Sequence, residues 1–155
     1  MTRWQDFTIR ELLVHRPPML LLDEVVDYGH DHLVARLTVA ADGVFGSGGS
    51  VPALLCFEYM AQAIAAHRGI ADRLAGREPQ VGLALGSREL LLSADRLVAG
   101  APLLVRVESD FLVGGALVRY RGTVIDESTS AALARADMKA FQAGDMEAFL
   151  LETPL

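Results

Sequence analysis

A single acid interrupts the stretch "VPALLCFEYMAQAIAAHRG", residues 51 to 69. From Val51 to Ala66 the residues are apolar on nearly every side, yet Glu58 stands in the middle and Gln62 follows four positions later. On an α-helix that spacing puts both on one face. An ionised carboxylate among apolar groups loses hydration, at a cost of several kcal/mol unless it is paired. Desolvation also raises its pKa, and a carboxyl poised between acid and base suits proton transfer. Backbone N–H groups near the helix start could polarise a carbonyl oxygen beside it. The alternative is a structural acid, bonded to Gln62, a tyrosine or an arginine, or buried in a dimer interface.

Other residue types that could do chemistry are few. The four histidines are His15, His30, His32 and His67. His30 and His32 lie in the turn "GHDH", where solvation is expected; no further ligands converge there, so no metal site is expected. His67 is expected near the exposed end of the helix. Cys56, the lone cysteine, is expected as a buried, inert thiol. Tyr59 points away from Glu58, into core or interface. Gly46, Gly48 and Gly49 read as loop residues rather than a phosphate cradle, and no Ser-His-Asp set or nucleotide-binding motif is present.

The elements that must position Glu58 can be read from the rest of the chain. It has 155 residues, 52% hydrophobic, 22% charged and 6% aromatic, with net charge -6. This fits one domain over residues 1–155, with enough apolar excess to bury surface against another subunit. No basic run suggests nucleic acid. No signal peptide or ~20-residue apolar span suggests a membrane, so a cytoplasmic protein is expected. Residues 6 to 14 read as a short amphipathic helix stopped by "HRPP". Residues 19 to 29 read as a buried strand, and 33 to 40 as a strand with Leu33, Ala35, Leu37 and Val39 on one face. Ser50 as N-cap and Pro52 in the first turn would open the long helix. Strands are expected at Val81–Leu91, Pro102–Val113, Ala116–Asp126 and Ser130–Phe141, with Phe111 on the face of Leu103 and a Gly114–Gly115 hairpin turn. A last helical turn is expected over 145 to 151. A helix apolar all round must be enclosed, so the simplest arrangement is an α+β fold with an antiparallel sheet curled around it.

Two motifs carry a resemblance. "HRPPMLLLDEVVDYG" resembles the "HR-x-P-x-LL-x-D-x-V" opening of the 3-hydroxyacyl-(acyl carrier protein) dehydratases, and "VPALLCFEYMAQAIA" resembles their "PG-x-x-x-x-E-x-MAQ" helix. "LGSRELLLSADRLVAGAPL" is similar to the same family's glycine-led strand and following turn. The dehydratase-like proteins encoded with aryl polyene pigment pathways look closer still. The resemblance implies the hot-dog fold, an antiparallel sheet wrapped around one long central helix, and dimers with tunnels at the interface. It implies no cofactor and no metal. The substrate would be a thioester of acyl carrier protein or coenzyme A, from which water is removed to give a trans-2-enoyl product. The dimer would be a homodimer or a heterodimer with a homologue. Glu58 takes the place of the family's catalytic glutamate, and the resemblance sets Gln62, Pro18, Phe45 and Pro52 against the substrate. The family's catalytic histidine, in a "GHFP" motif, has no counterpart: an ungapped count lands on Val44, and the shortened "GSGGS" loop holds no titratable group. His15 would then either substitute for it or cap the first helix. Two alternatives follow from the gap: a hot-dog thioesterase that needs only a carboxylate and a helix-start amide, or a non-catalytic acyl-binding subunit paired with a competent homologue. Arg68, Arg73 and Arg77 are the candidates for docking an acidic carrier.

Overall fold

In a computed structural model, residues 1–40, 43–80, 82–113 and 117–142 are described. The Gly114–Gly115 turn, the helical turn at 145 to 151 and the side chain of Phe111 lie outside what is described. A 3-10 turn, Trp4–Asp6, precedes a single α-turn, α1 (Ile9–Leu12). Then come β1 (Glu24–Tyr28), β2 (His32–Thr38), β3 (Ser50–Pro52) and the long helix α2 (Leu55–Leu74). The strands β4 (Gly82–Leu92), β5 (Arg96–Val98), β6 (Pro102–Val113), β7 (Leu117–Asp126) and β8 (Ala132–Gln142) follow.

Among the described residues one antiparallel six-stranded sheet has the order β1-β2-β6-β7-β8-β4, and β3 pairs with β5 apart from it. Period-two alternation builds the inner face. Leu33, Ala35 and Leu37 on β2 oppose Val107, Val105 and Leu103 on β6, and all six are buried. Cys56, Met60, Ala63, Ala66 and Ile70 of α2 fill the hollow against this face. The outer face carries the polar alternates, where Arg36 pairs with Glu24 and Glu127, and Arg119 with Asp137. The enclosed helix and the antiparallel sheet are those expected from the sequence.

The expected 6–14 helix is a single turn, β5 has no counterpart among the expected strands, and three further differences from the sequence reading bear on the site. Ser50 and Pro52 do not begin the helix; they lie on β3, opposite Val98 and Arg96 of β5. The period here is two rather than 3.6. Val51 and Ala53 are buried while Pro52 and Leu54 are exposed. Ala53 N–H continues the pairing onto the Asp95 carbonyl at 2.8 Å. Pro52 is tolerated because so short an edge strand needs no N–H there. Second, β1 begins only at Glu24, just after Asp23 N–H meets the Arg36 carbonyl of β2 at 2.9 Å, and residues 19 to 22 precede the sheet. The backbone of that segment turns instead to the side chain of Gln62. Third, α2 runs on to Leu74, which carries His67 into the interior rather than to an exposed end.

Candidate functional site

Gln62 is the anchor of the site. It is fully buried, and a buried primary amide needs its donors and acceptor paired. Its Oε1 accepts from Leu21 N–H at 3.0 Å. Its Nε2 donates to the Met19 carbonyl at 2.7 Å and to Glu58 Oε1 at 2.9 Å. One side chain thus clamps the 19–21 segment onto α2 and fixes the carboxylate one turn away. The segment it holds follows "HRPP", with a cis peptide between Pro17 and Pro18. His15 lies over the helix, with Nε2 3.7 Å from Glu58 Oε1. His15 does not cap α1; Arg16 donates to the carbonyls of Leu13 and His15 at 2.8 and 2.7 Å. His15 Nδ1 is buried and makes no hydrogen bond among the described residues.

The Glu58 side chain is 34% exposed and that of His15 30%. The carboxylate therefore stands at the rim of the interior rather than sealed within it. Both residues line a cavity of about 260 Å³ that continues along α2 past Ala61, Ala65 and Arg68, with Val118 and Tyr120 of β7 on its wall. Ten residues separate Glu58 from Arg68, about 15 Å along a helix axis. The walls between them are apolar, the two ends are not.

At the far end Tyr120 and His67 are both buried. His67 Nε2 lies 3.1 Å from the Gly29 carbonyl and Nδ1 2.8 Å from the Tyr120 hydroxyl. A carbonyl can only accept, so Nε2 carries the proton and Nδ1 accepts from Tyr120. Burial holds His67 below its ordinary pKa of 6.5 and pushes the Tyr120 hydroxyl up to about 12, so both are neutral. A histidine kept neutral in the folded state binds fewer protons than the unfolded chain. Stability should fall as pH drops below 6.5 toward the folded value. His67→Gln should flatten this limb of a melting-temperature profile between about pH 7 and 5. His32, raised by its bonds to Asp31 and Asp27, acts in the opposite sense and is common to both proteins.

Elsewhere the sequence reading meets mixed outcomes. Pro18, Phe45 and Pro52 are not among the residues lining the cavity, and Gln62 stands behind Glu58 rather than in its wall. Tyr59 is core, and Cys56 is buried with its thiol pushed up to about 11 by burial, as an inert cysteine should be. Val44, where the histidine count lands, is exposed, and residues 43 to 50 carry no titratable side chain. Arg73 pairs with Glu78 at 3.0 Å, and Arg77 with the buried Asp72 at 2.9 Å. The polar far end of the cavity was missed; its signal was a histidine–arginine pair, His67 and Arg68, on a helix that had not yet ended.

The family model for ApeP-like proteins, described as ApeP dehydratase, matches residues 7–151. The chain belongs to the ApeP-like dehydratase family. It is also similar to a chain of the dehydratase heterocomplex ApeI:P from Xenorhabdus doucetiae, with a TM-score of 0.83 at 24% identity over 96% of this chain and 99% of that one. More distant likenesses are the E. coli PaaI protein of the phenylacetic acid degradation operon (TM-score 0.57, 13% identity, 77% and 78% covered) and zebrafish thioesterase superfamily member 2 (0.57, 11%, 77% and 79%). These structures share the hot-dog fold with this family member. No curated protein matches it by sequence. Among the described residues no helix is long and apolar enough to cross a membrane.

Proposed function

We propose that this ApeP-like protein is a dehydratase subunit that removes water from 3-hydroxyacyl thioesters, with Glu58 moving the proton. The observation that carries the reading is the Glu58 carboxylate at the mouth of an apolar cavity, anchored by Gln62 and 3.7 Å from His15. The 3-hydroxyacyl chain lies along α2 with its thioester outside. The C2–H bond breaks toward His15 Nε2 while protonated Glu58 gives its proton to the leaving 3-hydroxyl. The C3–O bond breaks, a C2=C3 double bond forms, and water departs. The proton then passes from His15 to Glu58 across the short gap, restoring both groups. Gln62 holds the carboxylate through Oε1, which leaves Oε2 to face the substrate.

The chain enters as a thioester of acyl carrier protein or coenzyme A, in the cytoplasm. Arg73 is a docking candidate whose Nε also donates to the Glu11 carbonyl at 3.0 Å, so Arg73→Glu should weaken carrier binding and flatten its salt dependence, and reads the α1–α2 contact as well. Arg77→Glu also unpairs the buried Asp72, so it reads stability as well. The protein works as a dimer that extends the sheet through β4. That strand is an eleven-residue edge with Leu91 and Leu92 exposed, and so long an edge needs a cover.

A second reading is favoured by the loop at 43 to 50, which lacks any group to move a proton. Here the chain is a non-catalytic acyl-binding partner of a histidine-bearing homologue. His15→Ala separates the two readings. If His15 is the base, turnover by the chain alone drops by ~10²-fold. If the base comes from a partner, the chain alone is inactive and the mixed dimer is indifferent to His15→Ala.

A further inference from the structure

We infer that Arg16 is a positioning residue: its guanidinium sets the backbone of His15, and through it the place of the imidazole beside Glu58. This deepens the dehydratase reading and rests on it.

The His15 ring has no hydrogen bond of its own among the described residues. Nδ1 is buried and makes none, and Nε2, at 3.7 Å from Glu58 Oε1, is farther away than a hydrogen bond allows. The backbone that carries the ring must therefore place it. Nη1 of Arg16 donates to the Leu13 carbonyl at 2.8 Å and to the His15 carbonyl at 2.7 Å. Leu13 closes α1, and the last carbonyls of a helix lack partners within it. The Arg16 carbonyl in turn accepts from Met19 N–H at 2.9 Å and from Leu20 N–H at 3.2 Å. Gln62 then grips the Met19 carbonyl and Leu21 N–H, and the same amide holds Glu58. His15 and Glu58 thus stand on one hydrogen-bonded circuit, closed by Gln62 on one side and by Arg16 on the other. A bond from a charged donor is stronger than one between neutral groups, and here a single nitrogen makes two. It joins His15 to the end of α1, whose Leu12 is itself pressed against α2 at Gly69. Arg16 is exposed and does not line the cavity, so it acts through His15 and not on the substrate. Without it the His15 peptide can turn, and a misplacement on the order of 1 Å can cost ~10²-fold in rate.

The test uses the full chain and a 3-hydroxyacyl pantetheine thioester, which brings no carrier to dock on a surface cation. Arg16→Met should lower kcat by about tenfold, while KM and the binding of an unreactive acyl-pantetheine amide stay near those of the wild type. Arg16→Lys, whose ammonium can donate to both carbonyls from one nitrogen, should restore most of the rate. In a His15→Ala background Arg16→Met should cost nothing further, because the residue it acts through is gone. A helix cap with no part in placing His15 gives another pattern. A lower melting temperature with kcat unchanged, or a loss that multiplies with that of His15→Ala, overturns the inference and leaves the roles of His15 and Glu58 standing. Nuclear magnetic resonance gives a readout without turnover: Glu58→Gln should shift the His15 ring signals in the wild type and shift them less in Arg16→Met. Equal shifts in both overturn the inference. If Arg16→Met does not fold, Arg16→Gln, whose shorter amide cannot reach both carbonyls, carries the same comparisons. No turnover by the wild type, or turnover indifferent to His15→Ala, overturns the reading of His15 as base and this inference with it.

Discussion

Glu58→Gln should lower dehydration of a 3-hydroxyacyl thioester by about 10²-fold or more while leaving the fold intact. The substitution is nearly isosteric, so packing beside Gln62 is kept. What changes is the chemistry: an amide cannot give a proton to a leaving hydroxyl. The Gln62 amide can still donate to the new carbonyl oxygen as it donates to Oε1 now, at 2.9 Å. The His15 ring keeps its place, since it is carried by the segment that Gln62 clamps. Acyl binding should therefore survive, and the loss should appear in kcat rather than KM. The measurement is steady-state turnover together with calorimetric binding of an unreactive analogue. A parallel loss of both would mean that Glu58 holds the site together rather than acting in it.

The second large effect is on stability. Gly69 lies on α2 where a Cβ would run into the backbone carbonyl of Leu12. Here α1 presses directly on the long helix. Backbone cannot swing aside as a flexible side chain can, so Gly69→Val must push the two helices apart. Overpacking of this kind typically costs about 1–3 kcal/mol. We expect about 2 kcal/mol or more, which for a chain of this length lowers the melting temperature by roughly 4–8 °C. The exposed neighbour Ala71 serves as control: Ala71→Val should move it by no more than the small helix-propensity difference. Because α1 leads into the "HRPP" segment, Gly69→Val should also disturb the placing of His15, and activity should fall more than stability alone explains.

The fold was legible wherever one period ran long enough. Alternation on β2 and β6, and the apolar run of α2, each repeat over several turns or residue pairs, so chance patterns do not compete. The three-residue strands β3 and β5 offer no such length. "SVP" carries a good N-cap and a good first-turn proline, and only the burial of Val51 and Ala53 against β5 reveals that tertiary pairing wins. His67 was misplaced for a related reason: a glycine two residues later suggests the end of a helix, whereas Gly69 lies inside α2 where a Cβ would meet the Leu12 backbone. The Glu58–Gln62 pair was visible because both lie on one helix. The His15–Glu58 approach was not, since no spacing rule connects residues in different segments; the family resemblance suggested it. Nor could spacing show that Gln62 binds backbone of 19 to 21, which is why that segment was read as strand.

The central claim, that Glu58 moves the proton in a dehydration, is tested most directly by mass analysis of the thioester after incubation with a 3-hydroxyacyl carrier substrate. Wild type and Glu58→Gln are compared, each alone and each mixed with a histidine-bearing homologue. The account predicts the 2-enoyl thioester from the wild-type protein and ~10²-fold less of it from the variant under the same conditions. Free thiol in place of enoyl thioester would contradict it in favour of hydrolysis. Enoyl product formed only in the mixtures, and equally well with Glu58→Gln, would contradict it in favour of a subunit that binds without acting.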